Sequence, residues 1–255
     1  STDIMHVTIT DHKIGIHTNE KQKRGAFMGL IAINNEKPTD LSKAKAYLKQ
    51  YESFQANPIY LDSAFHFLKK TNSYFPAFVQ YHYLKSDDKG LINFVMNNEV
   101  DTTKYSNTDL AMTYSRMGEV YVRNNMSGTA EKYFAKATKL MPFVIDYKIK
   151  QGAFLLKQNQ LAASKKVFTA ALALNPTVKE IHLNLGYISL LEQDFKKADV
   201  YLKQALALDP DYVLAYENLV LSAQMQNKME QVKVYLNKIL EIAPNHKAKT
   251  ILEKI

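Results

Sequence analysis

Imidazole is the side chain here best suited to proton transfer or metal ligation, and seven residues carry it: His6, His12, His17, His66, His82, His182 and His246. They are scattered, and no pair stands at the helical spacing of an HExxH zinc site. Cysteine is absent, which removes thiol nucleophiles, disulfides and thiolate metal sites. Neither a glycine-rich phosphate loop nor a nucleophile elbow occurs. His182 falls at a helix-packing position and is expected in the core. Catalysis by this chain is therefore not expected. Only His6 and His12 keep company. Residues 3–14 (DIMHVTITDHKI) alternate apolar and polar types, so they read as a strand or extended arm. A spacing of six then places both rings on one side of it.

Charge and composition narrow the classes further. Lysine and arginine number 33 against 25 acids, a formal charge of +8 that would attract a polyanion. The lysines are spread in pairs such as Lys69–Lys70, Lys165–Lys166 and Lys196–Lys197, at positions expected to face solvent, so nucleic-acid binding is not the favoured reading. Eleven aromatic residues crowd positions 47–83. Their helical spacing favours a core over a ligand pocket; polysaccharide or nucleic-acid binding by this basic, aromatic-rich half stays as an alternative. The apolar run 25–33 is too short to span a bilayer, and no membrane span is expected. The opening serine suggests a processed or excised piece.

The elements that must position these groups announce themselves by a repeat. Pro142, Pro176, Pro210 and Pro244 stand 34 residues apart, and so do Gly118, Gly152 and Gly186. Ala130, Ser164 and Ala198 keep the same interval, as do Ala137, Ala171 and Ala205, and Phe134, Phe168, Leu202 and Leu236. A period of this length marks a solenoid whose units fold by leaning on one another. Two antiparallel helices of about 12–14 residues fill each unit. The small residues allow close approach, and proline ends the second helix and suits the first turn of the next. The last unit departs, with Val220, Val232 and Ile239 at the small positions. Upstream, 41–50 matches 195–204 and reads as the second helix of a degenerate repeat whose first helix is 26–34. Pro58 and Pro76 open helices 58–70 and 76–85, and Asp87 and Asp88 cap a helix over 89–98.

These position classes resemble the tetratricopeptide repeat. The resemblance implies an all-α, right-handed superhelical solenoid of antiparallel helix pairs, here preceded by a short extended arm. The expected organisation is an arm over 1–21, irregular helical repeats over 22–105, four regular repeats over 106–246 and a capping helix over 247–255. In that family the first helices line a concave groove that holds a protein or an extended peptide. The corresponding residues here include Arg116, Ile149, Lys150, Leu183, Asn184, Tyr187, Asn218 and Leu221, with Ser115, Glu119 and Leu190 in the same lining. Asn184 and Asn218 are equivalent, and a carboxamide can both donate to and accept from a peptide backbone. The lysines and arginines of the family's carboxylate clamp are missing.

Residues 3–14 resemble the segment that follows the CxxCH haem-attachment motif in multihaem c-type cytochromes fused to tetratricopeptide repeats. The likeness implies His12 as an axial haem ligand, His6 as a weaker candidate and Asp11 as a partner that orients the ring. It also implies an exported, periplasmic protein, with haem c belonging to an upstream domain, because this chain has no cysteine for attachment. The expected function is a protein-interaction scaffold serving a multihaem electron-transfer protein. The alternative makes the arm itself a participant in electron transfer.

Overall fold

The computed structural model describes residues 39–53, 57–71, 74–98 and 100–254. The arm over 1–21, with His6 and His12, and the helix expected over 26–34 lie outside the described residues. Among the described residues every regular element is helical, and none is a strand. They fall into two compact units divided between Asn125 and Met126.

The first unit holds α1 (Asp40–Ser53), α2 (Pro58–Leu68), α3 (Phe75–Leu84), α4 (Asp88–Asn97), a 3-10 turn (Thr102–Lys104) and α5 (Asn107–Arg123). Pro58 is the first residue of α2, where a missing N–H costs nothing, and the Asn57 side chain accepts from Ile59 N–H. Asp87 caps α4 by accepting from Gly90 N–H at 2.9 Å. A methyl on Gly90 would collide with that carboxylate, at 2.1 Å from Oδ2. The α1–α2 pair and α3 share a core of Ala44, Leu48, Leu61, Ala64, Leu68, Ala77 and Tyr81. Aromatic rings wall it: Phe65 stacks on Tyr81 at 4.9 Å, and Phe78 on Phe94 at 5.1 Å. Among the described residues these aromatics serve packing, as their helical spacing suggests.

The second unit holds α6 (Ser127–Leu140), α7 (Ile145–Lys157), α8 (Leu161–Leu174), α9 (Lys179–Leu191), α10 (Phe195–Leu208), α11 (Val213–Met225), α12 (Met229–Ile242) and a short α13 (Ala248–Leu252). Helices α7–α8, α9–α10 and α11–α12 pack as pairs, and each second helix also meets the next first helix. Small residues set the spacing within pairs. A methyl on Gly152 would stand 2.8 Å from the Phe168 ring, and one on Gly186 2.8 Å from Leu202 Cγ. Each large side chain therefore seats over a glycine. Ser164 Oγ, fully buried, donates to Gly152 C=O at 2.8 Å across the α7–α8 contact.

Between the helices of a pair the chain turns through one left-handed residue. Asn159, Gln193 and Asn227 have φ of 59°, 60° and 56°, and Asn125 and Ser86 share the conformation. The next N–H reaches back to the helix as in a Schellman cap: Gln160 to Leu155, Asp194 to Ser189 and Lys228 to Ala223. Asp87 does the same to His82 C=O, so α3–α4 turns like the regular pairs.

The repeated prolines correct one expectation. Pro142, Pro176 and Pro210 do not sit in the first turn of a helix; α7, α9 and α11 begin three residues later. Pro142 and Pro210 are instead second in turns closed by Val144 N–H to Met141 C=O and Tyr212 N–H to Asp209 C=O. That place also fixes φ near −65° and needs no N–H.

Candidate functional site

Helices α7, α9 and α11 are the first helices of their pairs, and α9 touches both of the others. Residues at i, i+4, i+7 and i+11 form a straight stripe along each. The stripes read Asp146, Lys150, Ala153, Lys157 on α7, then Glu180, Asn184, Tyr187, Leu191 on α9, then Leu214, Asn218, Leu221, Met225 on α11. Charge fades along the series and apolar surface grows. Leu214, Leu191 and Met225 are 49%, 43% and 45% exposed.

The sequence-predicted groove residues meet different fates. Ile149, Leu183 and Tyr187 lean half-buried against core clusters. Lys150 pairs with Asp146 at 3.3 Å on its own helix. Asn184 Nδ2 donates to Glu180 C=O at 2.7 Å, so half its carboxamide is committed to its own backbone. The Asn218 carboxamide makes no hydrogen bond among the described residues. Leu221 is exposed beside it. Ser115 and Leu190, assigned by the family pattern to the lining, are instead buried at 2% and 0% exposure.

Arg116 belongs to the first unit and is committed there. Its guanidinium donates to Glu52 at 2.7 Å and lies over the Tyr83 ring. Arg123 stacks on the same ring and forks onto Asp88 at 3.0 and 2.6 Å, holding that carboxyl below the usual carboxylate range. Tyr83 donates to Glu119. Nearby, Tyr74 donates to Asp109, and burial together with that bond pushes its phenol up to about 12. These groups lock α1, α3, α4 and α5 together.

A cleft of about 300 Å³ opens at the end of the second unit, between α11, α12 and the segment leading into α13. Its floor is Val220, Leu236, Ile239, Ala248 and Ile251, and its rim includes Glu217, Asn218, Leu221 and Gln224. Val220 and Ile239 stand where Gly186 and Ala205 stand one repeat earlier. Bulk at these positions removes the close seat seen at Gly186, and both residues line the cleft. The rim charges cancel: Lys247 and His246 both face Glu217, at 2.9 and 3.3 Å. His246 Nδ1 accepts from Ala248 N–H at 3.1 Å, which leaves Nε2–H to meet Glu217.

Sequence reasoning found Asn218 and Leu221 but not the cleft they border. The signal lay in Val220, Val232 and Ile239, which break the small-residue pattern. His182 is buried as expected, with Nε2–H donating to Pro176 C=O at 2.7 Å. Among the described residues no group of three His, Asp or Glu is placed to hold a metal ion, and no helix is long and apolar enough to cross a membrane.

Residues 179–212, spanning α9, α10 and the turn after them, match the family model of the tetratricopeptide repeat. No curated protein matches the chain in sequence. Among solved structures the chain is similar to PilF of Pseudomonas aeruginosa, with a TM-score of 0.62 at 13% identity over 84% of this chain and 95% of that one. It is similar to PilW, a widely conserved type IV pilus biogenesis factor, with a TM-score of 0.57 at 21% identity over 67% and 77%. YrrB, a tetratricopeptide-repeat protein with an unusual peptide-binding site, gives a TM-score of 0.53 at 20% identity over 83% and 100%. The fold is that of tetratricopeptide-repeat proteins, and residues 179–212 carry one such repeat.

Proposed function

We propose that the second unit is a protein-interaction module that holds a segment of a partner protein against the α9 and α11 stripes. One observation carries this reading: α11 presents Leu214, Leu221 and Met225 to solvent in line with a carboxamide, Asn218, that has no partner among the described residues. Apolar side chains there offer area, and the carboxamide offers one donor pair and one acceptor to a backbone. Selection of a phage-displayed library of random 12-residue peptides on the full chain tests it. Sequences should be enriched on the natural protein and lost on Leu221→Asp, while far-UV circular dichroism stays unchanged. Enrichment indifferent to Leu221→Asp, or none at all, overturns the reading.

The likeness of residues 3–14 to a cytochrome segment supports a second reading, service to a multihaem electron-transfer protein in an exported setting, with His12 and then His6 as axial ligands. It rests on sequence likeness alone. This chain offers imidazoles but no cysteine for thioether attachment, so it does not by itself fit haem c. Joined behind a CxxCH haem domain, the chain should give a low-spin spectrum that His12→Ala abolishes; no spectral change in that longer protein ends the idea.

A further inference from the structure

We infer that the cleft beside α11 is a subsite for an uncharged aliphatic side chain carried by an extended partner segment, whose flanking peptide groups pair with Asn218 and Gln224. This rests on the interaction reading of the α9–α11 face and adds the chemistry of what is recognised there.

Three observations converge. The floor is wholly apolar, and four of its residues, Val220, Leu236, Ile239 and Ala248, are already buried, so a guest side chain completes an existing core rather than founding a new one. At the rim the Glu217 carboxylate is already met by the Lys247 ammonium and by the Nε2–H of His246. A charged guest would enter an apolar floor with that carboxylate already satisfied, and burying an unpaired charge is costly. An uncharged guest meets no such penalty.

The third observation sets the guest's backbone. Asn218 and Gln224 both line the cleft, and neither carboxamide has a hydrogen bond among the described residues. They are six positions apart on α11, about 9 Å along its axis and about 120° around it, with Leu221 on the arc between them. An extended chain covers that separation in about three to four residues at about 3.3 Å each. Leu221 lies midway between the two amides. One side chain can thus drop past Leu221 into the cleft while the peptide groups before and after it reach the two carboxamides. A helical guest rises too little per residue and has its own peptide groups occupied, so it gains nothing from either amide.

The experiment uses the full chain with carbon-13 labelled Ile, Leu and Val methyls. It is titrated with the capped tripeptides acetyl-Ser-Leu-Ser-amide and acetyl-Ser-Asp-Ser-amide. The leucine probe should give saturable shifts at the methyls of Val220, Leu236, Ile239 and Ile251, with affinity about tenfold above the aspartate probe. Asn218→Ala combined with Gln224→Ala should weaken the leucine probe about fivefold and leave the ligand-free methyl spectrum of the core intact. Equal affinity for the two probes overturns the subsite. So does silence at these methyls up to the solubility limit, or affinity indifferent to loss of both carboxamides. Selected peptides that bind the face without moving these methyls defeat the subsite alone; failure of any peptide to be selected defeats the interaction reading.

Discussion

The two units differ in what they add to the small-residue packing of their helix pairs. In the second, closeness comes from absence: Gly152 and Gly186 lack a side chain where Phe168 and Leu202 press in, and Ala198, Ala171 and Ala205 are buried to 0% exposure. The first unit uses the same device between α1 and α2, where Ala44 and Ala64 are buried to 0% exposure, but it adds stacked rings between α3 and α4 and polar contacts that tie α5 to them, Arg123 on Asp88 and Tyr83 on Glu119. Dispersion between close backbones depends on a few small positions recurring in register. Stacked rings and ion pairs need specific partners far apart in sequence, such as Glu52 and Arg116. Contacts of the first kind can repeat; those of the second kind cannot, because each is particular to its place.

The largest test strikes the seat of a repeat. Phe168→Ala empties the space over Gly152 and should cost about 3–5 kcal/mol, read by chemical denaturation. A loss under 1 kcal/mol would mean that the glycine seat is not what spaces α7 from α8. Overfilling the equivalent contact one repeat later is milder. Ala198→Phe drives a ring into fully buried space between α9 and α10 and should cost about 1–3 kcal/mol.

How much of this could be read from sequence follows from the same contrast. Prolines, glycines and alanines at a spacing of 34 disclosed the pairs α7 to α12 because each class answers a local steric demand. The same logic put proline in the wrong turn, since a fixed φ and a missing N–H suit both a helix start and the second place of a β-turn. The left-handed positions Asn125, Asn159, Gln193 and Asn227 also recur every 34 residues. They escaped notice because polar residues in turns attract no attention and one of them is glutamine. Asn218 and Leu221 were legible through the repeat. The cleft was not, because it depends on how α13 returns over α11 and α12. The commitment of Arg116 to Glu52 and Tyr83 was equally hidden, since the sequence says nothing of a partner 64 positions away.

The polar contacts of the first unit make a prediction about acid. The Gly90 N–H holds the Asp87 carboxyl below its usual range, and the Arg123 guanidinium does the same for Asp88. A carboxyl depressed on folding contributes stability that is complete above the unfolded value, about 3.9, and fades as pH falls through the folded value. Amide exchange across α3 and α4 should therefore quicken as pH drops below about 4, once corrected for the intrinsic rate. Asp87→Ala should cost about 1 kcal/mol at neutral pH, the usual worth of a side-chain N-cap, and should flatten that acid response. An acid profile identical in the variant would place the sensitivity elsewhere.

The smallest effect concerns the turn that both units share. A left-handed residue ends α3, α5, α7, α9 and α11, and in the α9–α10 turn it is Gln193, at φ 60°. A β-carbon in this region strains against the following carbonyl by about 1–2 kcal/mol, and asparagine tolerates it through local hydrogen bonding where glutamine, one methylene longer, does so less well. Gln193→Asn copies the residue already found at 125, 159 and 227 and should raise stability by a few tenths of a kcal/mol. Gln193→Gly relieves more strain but frees the unfolded chain, and its net gain should not exceed about 1 kcal/mol. Paired denaturation midpoints measure both. A loss on Gln193→Asn would show that the glutamine side chain makes a contact worth more than the strain it bears, and that the turns of successive repeats are less alike than their dihedral angles.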